Sequence, residues 1–143
     1  MHSLAHGASL QVLVLEDEPA IGRSLVRGLR QAGHECHLVE RCARVRELEQ
    51  SFDVAVLDLE LPDGVSVDVA EELLGFGTTR AVVFFSGASD QLLLARAARL
   101  GVVVSKSAPF AELLEAIEAT QIGPASEWRQ LRPTPNSARH VGR

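Results

Sequence analysis

Continuous apolar runs alternate with segments of helical period along most of this chain, and that alternation limits the fold more than any other feature. LQVLVL (10–15), ECHLV (35–39), VAVL (54–57), AVVFF (81–85) and VVVS (102–105) read as five strands. PAIGRSLVRGLRQAG (19–33) sets Ile21, Leu25 and Leu29 on one helical face, with Pro19 near its start and Gly33 just past its end. ARVRELEQ (43–50) is a weaker helical segment carrying Val45 and Leu48. VDVAEELLGFG (67–77) and DQLLLARAARLG (90–101) follow, and PFAELLEAIEA (109–119) places Phe110, Leu113, Leu114 and Ile117 at i, i+3, i+4 and i+7. Strands apolar on both sides belong in a parallel sheet covered on both faces, so the pattern predicts a doubly wound α/β domain of five βα units with right-handed crossovers. Ligands of such sheets gather at the carboxyl ends of the strands, where strand order reverses.

A length of 143 residues suits one domain, and 46% hydrophobic residues supply a core without disulfide or metal staples. The reading divides the chain into an N-terminal extension (1–9), the domain (10–120) and a Pro-, Ser- and Arg-rich linker or tail (121–143). MHSLAHGAS has neither the basic start nor the apolar run of a secretory signal, and no apolar stretch approaches the ~20 residues that span a bilayer. The expectation is a soluble cytoplasmic protein. Cys36 and Cys42 then read as reduced thiols. With His34 and His37 they fit no common zinc spacing, and a strand-to-loop context scatters such side chains over both faces. Residues 1–120 hold 10 basic and 18 acidic residues, which argues against nucleic-acid binding by the body, whereas the tail holds four arginines and one glutamate.

The polar residues fall in a pattern. The first strand runs into Glu16, Asp17 and Glu18, the third into Asp58, the fourth into Ser86 and Gly87, the fifth into Ser105 and Lys106. Four strands thus deliver polar groups to one sheet edge. Clustered carboxylates repel one another and favour a hard divalent cation. A hydroxyl and an ammonium suit phosphoryl oxygens, and a carboxylate can be the nucleophile that forms an aspartyl phosphate. Lys106 is the single lysine beside 13 arginines, which marks a position wanting a compact ammonium.

VLVLEDEP, VAVLDLELPDG, FFSGAS and VVVSK, in this order within a five-fold βα chain, resemble the receiver domain of two-component response regulators over about residues 10–120. The resemblance implies a flavodoxin-like (βα)5 fold with strand order 2-1-3-4-5. It implies Asp58 as phosphoacceptor, Ser86 as the switch hydroxyl and Lys106 as the phosphoryl-contacting lysine. It implies Mg²⁺ (or Mn²⁺) held by Asp17, Asp58 and the Glu60 backbone carbonyl, with Glu16 acting through a water or from behind the direct ligands. Gly87 would leave room for the phosphoryl group, and Pro62 and Gly64 would shape the loop after the acceptor. Glu18 and Asp63 are more simply a helix N-terminal acid and a turn residue. The partners implied are a histidine kinase or histidine phosphotransfer protein and a downstream protein effector, with no direct nucleic-acid or membrane binding.

The chain departs from the family where an aromatic residue usually stands three positions before the lysine. Here that residue is Val103, and Gly101 marks a shortened loop. Both fall on the surface the family commonly uses for output. Two other readings stand beside the phosphorylatable receiver. One is a degenerate receiver that binds partners without phosphorylation. The other is a phosphohydrolase with an aspartyl nucleophile, for which Glu60 replaces the usual second aspartate and the nucleophile sits on the wrong strand. No output domain is visible, so the chain reads as a single-domain regulator or as a receiver cut from a longer protein.

Overall fold

The computed structural model describes residues 9–61, 64–87 and 90–121. The elements in chain order are β1 (Gln11–Leu15), α1 (Pro19–Gln31), β2 (Glu35–Val39), α2 (Cys42–Val45), β3 (Phe52–Asp58), β4 (Glu60–Leu61), β5 (Gly64–Val65), α3 (Ser66–Gly75), β6 (Thr79–Ser86), α4 (Gln91–Ala98), β7 (Val102–Ser105) and α5 (Phe110–Ala119). Five strands form one parallel sheet in the order β2-β1-β3-β6-β7. Counting only these strands, the order is the expected 2-1-3-4-5. The two-residue strands β4 and β5 pair antiparallel as a separate ribbon just beyond β3, and the sequence reading had no place for it.

Burial follows position in the sheet. Every residue of the central strand β3 is buried, whereas the edge strand β2 is buried only at Val39. Alternation along the strands divides the core in two. Leu13, Leu15, Ala55 and Leu57 pack with Val67, Ala70 and Leu73 of α3, Ala97 of α4, and Cys42 and Val45 of α2. Val12, Val14, Val54, Val56 and Val83 pack on the other side with Leu25 and Leu29 of α1 and Leu113 and Ile117 of α5.

Several boundaries differ from the sequence reading. The expected helix over 43–50 is only the four residues Cys42–Val45. Cys42 and Val45 are the buried residues of that turn, and the charged residues that follow offer no apolar stripe to continue it. Strands β3 and β6 are longer than expected because Phe52 and Thr79, both buried, already pair in the ladder. Helix α4 stops at Ala98, before the expected Gly101, and starts after Asp90, whose carboxylate accepts from the Leu92 and Leu93 N–H groups. Pro62, Asp63 and the stretches 1–8 and 122–143 lie outside the described residues, so the readings placed on them do too.

Two glycines answer to close packing. A Cβ on Gly101 would lie 2.1 Å from the Val82 carbonyl oxygen, because the turn into β7 presses against the backbone of β6. A Cβ on Gly28 would lie 2.7 Å from the Phe110 ring, where α1 and α5 meet. At the sheet edge remote from Asp58, buried side chains tie the chain together. The Leu10 N–H donates to His34 Nδ1, and His34 Nε2 stands 2.7 Å from Glu118 Oε2 of α5. The Gln11 N–H donates to Asp53 Oδ2, and the Gln121 side-chain amide donates to the Asp53 carbonyl.

Candidate functional site

At the carboxyl edge of the sheet, three strand ends converge. β1 leads into Glu16 and Asp17, β3 ends at Asp58, and β7 is followed by Lys106. Register explains the meeting, since Leu15 stands opposite Leu57 and Ser86 opposite Ser105, so the neighbouring strands stop at nearly the same level. Glu16, Asp17 and Asp58 offer carboxylate oxygens that all lie within 4.8 Å of one another. Glu16 and Asp58 are buried and Asp17 half-buried.

Lys106 Nζ bridges the two buried acids, 3.0 Å from Asp58 Oδ2 and 3.3 Å from Glu16 Oε1. It also stands 6.0 Å from the centre of the Phe85 ring, an aromatic floor beneath the ammonium. Asp58 Oδ1 accepts the Glu60 N–H at 3.0 Å, so both carboxylate oxygens are held and their plane is fixed. Glu16 Oε2 accepts the Glu18 N–H, while Oε1 is buried with no well-directed hydrogen bond despite the ammonium nearby.

Burial pushes the Glu16 carboxyl up to about 7, with the Asp58 charge adding to the rise and the Glu18 N–H and Lys106 opposing it. For Lys106, burial disfavours the ammonium, but the Asp58 hydrogen bond and the charges of Asp58 and Glu16 outweigh it and hold the group above the ordinary lysine range. The pocket thus contains more negative charge than one lysine neutralises. A buried carboxylate oxygen met only by that poorly directed ammonium, beside two further carboxylates, suits a hard oxygen-seeking cation, so the residues present fit Mg²⁺.

The other residues singled out from sequence fall as follows. Ser86 is buried at the end of β6, its carbonyl accepting the Lys106 N–H at 2.9 Å. Gly87 is exposed, and a Cβ there would meet nothing nearer than the Lys106 side chain at 4.0 Å, so the space beside it is open. Glu60 opens the β4–β5 ribbon with its side chain exposed, and Gly64 pairs with Leu61 across that ribbon. Glu18 is the exposed N-cap of α1 and makes no side-chain capping bond. Val103 is half-buried against the α3–α4 side of the core. Cys36 and Cys42 pack on opposite faces of the sheet, and His34 is taken up by Leu10 and Glu118. Sequence reasoning missed the Glu60 N–H on Asp58 and the Phe85 ring under Lys106.

The family model for the response regulator receiver domain matches residues 12–118. Nodulation protein W of Bradyrhizobium diazoefficiens is 35% identical over 115 residues, covering 76% of this chain and 49% of that protein. Transcriptional regulatory protein VxrB of Vibrio cholerae is 35% identical over 74 residues, covering 46% of this chain and 30% of that protein. The chain therefore spans half the length or less of these curated relatives. Among solved structures, the response regulator TrrA of Thermotoga maritima, in complex with Mg²⁺ and BeF, aligns with a TM-score of 0.69 at 24% identity over 77% of this chain and 97% of that one. A CheY-like receiver domain protein of Methanospirillum hungatei aligns with a TM-score of 0.72 at 18% identity over 87% and 98%. Sheet order, the acids gathered at its carboxyl edge and the family match agree, and the chain belongs to the response regulator receiver domain family.

Proposed function

We propose that this receiver domain accepts a phosphoryl group on Asp58 from a histidine kinase or histidine phosphotransfer protein in the cytoplasm and signals to a protein effector through its altered surface. The observation that carries this reading is Lys106 Nζ, which stands within ion-pair reach of both Asp58 and Glu16 at the carboxyl edge of the sheet. An Asp58 carboxylate oxygen attacks the phosphorus of a phosphohistidine. The P–N bond breaks, and the imidazole, protonated on its other nitrogen, leaves as the neutral ring. The Glu60 N–H holds the carboxylate in one orientation for that attack. Lys106 then serves the new phosphoryl oxygens in place of the carboxylate oxygen, and the Ser86 hydroxyl donates to another of them. Mg²⁺ (or Mn²⁺), held by Asp17, Asp58 and the Glu60 carbonyl with Glu16 acting through water, would neutralise charge on those oxygens.

The TrrA structure in complex with Mg²⁺ and BeF supports this reading by analogy. The same groups assist hydrolysis of the acyl phosphate, so the domain resets itself and serves as a timed signal carrier. The test is incubation with acetyl phosphate and Mg²⁺ followed by mass mapping. The expected result is one phosphoryl group on Asp58, absent in Asp58→Asn and in excess EDTA. Undiminished labelling of Asp58→Asn would falsify the assignment.

A further inference from the structure

Helix α1 shows its buried stripe to the sheet and a different character to its flank beside the edge strand β2. Arg23, Arg27 and Arg30 recur there at i, i+4 and i+7, all exposed. With Val26, Gln31 and Leu38 they line a groove of about 650 Å³. Val26 and Leu38 are half-buried and give it an apolar floor. Leu38 is seated against Gly22 so closely that a Cβ there would lie 3.1 Å from it.

Arg44, Arg46 and Arg96 are each paired with an acid, namely Glu47, Glu72 and Asp68. The guanidinium groups of Arg23, Arg27 and Arg30 make no ion pair or hydrogen bond among the described residues, which is true of Arg41 and Arg99 as well, but only the three on α1 stand together along one groove, where Arg30 also lies near the Cys36 thiol. The helix dipole accounts for Arg30 in the last turn, but it gives no benefit to Arg23 near the opposite end. A solvated face also explains three exposed arginines. It does not explain why they border an apolar trough on a body that carries 18 acidic and 10 basic residues.

We propose that this groove between α1 and β2 docks an acidic amphipathic helix of a partner protein, its apolar side on Val26 and Leu38 and its carboxylates on Arg23, Arg27 and Arg30. Charge complementarity selects the class of partner. The net negative charge of the body repels a long polyanion such as DNA or an anionic bilayer, whereas a short helix meets mainly the local field of the three guanidinium groups, within a Debye length of about 8 Å. The apolar floor gives a helix its hydrophobic anchor, as in other helix-in-groove complexes.

The probe is a fluorescein-labelled 20-residue helical peptide of glutamate and leucine in helical period, titrated by anisotropy and by backbone amide shifts. Shifts centred on residues 22–38, with binding weakened at least about tenfold in R23E/R27E/R30E and less in R27Q, are expected. Circular dichroism and Asp58 labelling by acetyl phosphate should be unchanged in these variants, which separates this docking site from the phosphoacceptor chemistry. A scrambled peptide of equal charge should bind more weakly. No binding of the probe, equal affinity in R23E/R27E/R30E, equal binding of the scrambled peptide, or tighter binding to phosphatidylserine vesicles or a 20-base-pair duplex would overturn the proposal. If R23E/R27E/R30E fails to fold, equal affinity in R27Q overturns it on its own.

Discussion

Lys106 Nζ stands 3.0 Å from Asp58 Oδ2, so the nucleophile of the proposed reaction is already held by the cation that is to meet its phosphoryl group. One consequence is competition. The ammonium occupies a carboxylate oxygen that a metal also wants, and it dampens the repulsion between Glu16 and Asp58. Lys106→Ala should therefore bind Mg²⁺ several-fold more tightly, by roughly the factor one neighbouring cation contributes to a partly buried carboxylate. It should also be labelled by acetyl phosphate more slowly. Calorimetric titration and a labelling time course read the two effects, and weaker Mg²⁺ binding in the variant would refute the competition.

Asp17 tests the metal more directly. Mg²⁺ binding to the native state should raise the melting temperature by a free energy of RT ln(1+[L]/Kd). Asp17→Asn should lose that response, while the metal-free variant is as stable as wild type or more so, because one of three clustered charges is gone. A thermal shift of equal size in both proteins would move the metal elsewhere.

Output should avoid the region where an aromatic ring is usual. Val103 is β-branched, small and half-buried against the core, so it has no large surface to exchange between inside and out. Amide shifts on adding Mg²⁺ and beryllofluoride should be largest, beyond the acidic pocket itself, across 86–95. Changes centred on 101–112 with a silent 86–95 would contradict this.

Gly101 offers a test of packing alone. A methyl group there would overlap the Val82 carbonyl, a backbone atom that cannot rotate away. Gly101→Ala should lose about 3 kcal/mol in urea denaturation, with Asp58 still labelled where the protein remains folded. A loss below about 0.5 kcal/mol would mean the turn moves freely.

Cys36 is a pH probe. Burial pushes its thiol up to about 11, only partly offset by Arg30. Its thiolate is therefore scarce at neutral pH, and iodoacetamide should modify it far more slowly in the folded protein than in urea. The folded thiol titrates above the unfolded one, so its contribution to stability is intact below about pH 9 and disappears as pH rises towards 11. Equal alkylation rates at pH 7.5 in both states would contradict the burial.

The parallel sheet and the gathering of acids at its carboxyl edge were legible from local signals, whereas the strand order came only with the family resemblance. The middle of a buried parallel strand is apolar, as Val54–Leu57 is, so a carboxylate where such a run stops, as at Asp58, stands out. The segment after Cys42 misled because Val45 and Leu48 carry helical spacing without enough apolar surface to fix a second turn. The ribbon at Glu60–Val65 was hidden because strands of two residues leave no periodicity to read. The arginines of α1 were invisible as a site because their meaning depends on Leu38, a residue of another element.

His34 joins the residue before β1 to the last turn of α5, and Asp53 joins Gln11 to Gln121 in parallel. Entry and exit of the domain are thus riveted to each other at the sheet edge remote from Asp58. Both ties sit at the amino ends of the strands, His34 just before β2 and Asp53 within β3, the opposite edge from Asp58. The fold is in this sense a closed loop with its seam at the rim. Bridging that seam with a short linker and opening the chain at an exposed turn should leave the acidic pocket standing, since seam and pocket lie at opposite ends of the strands.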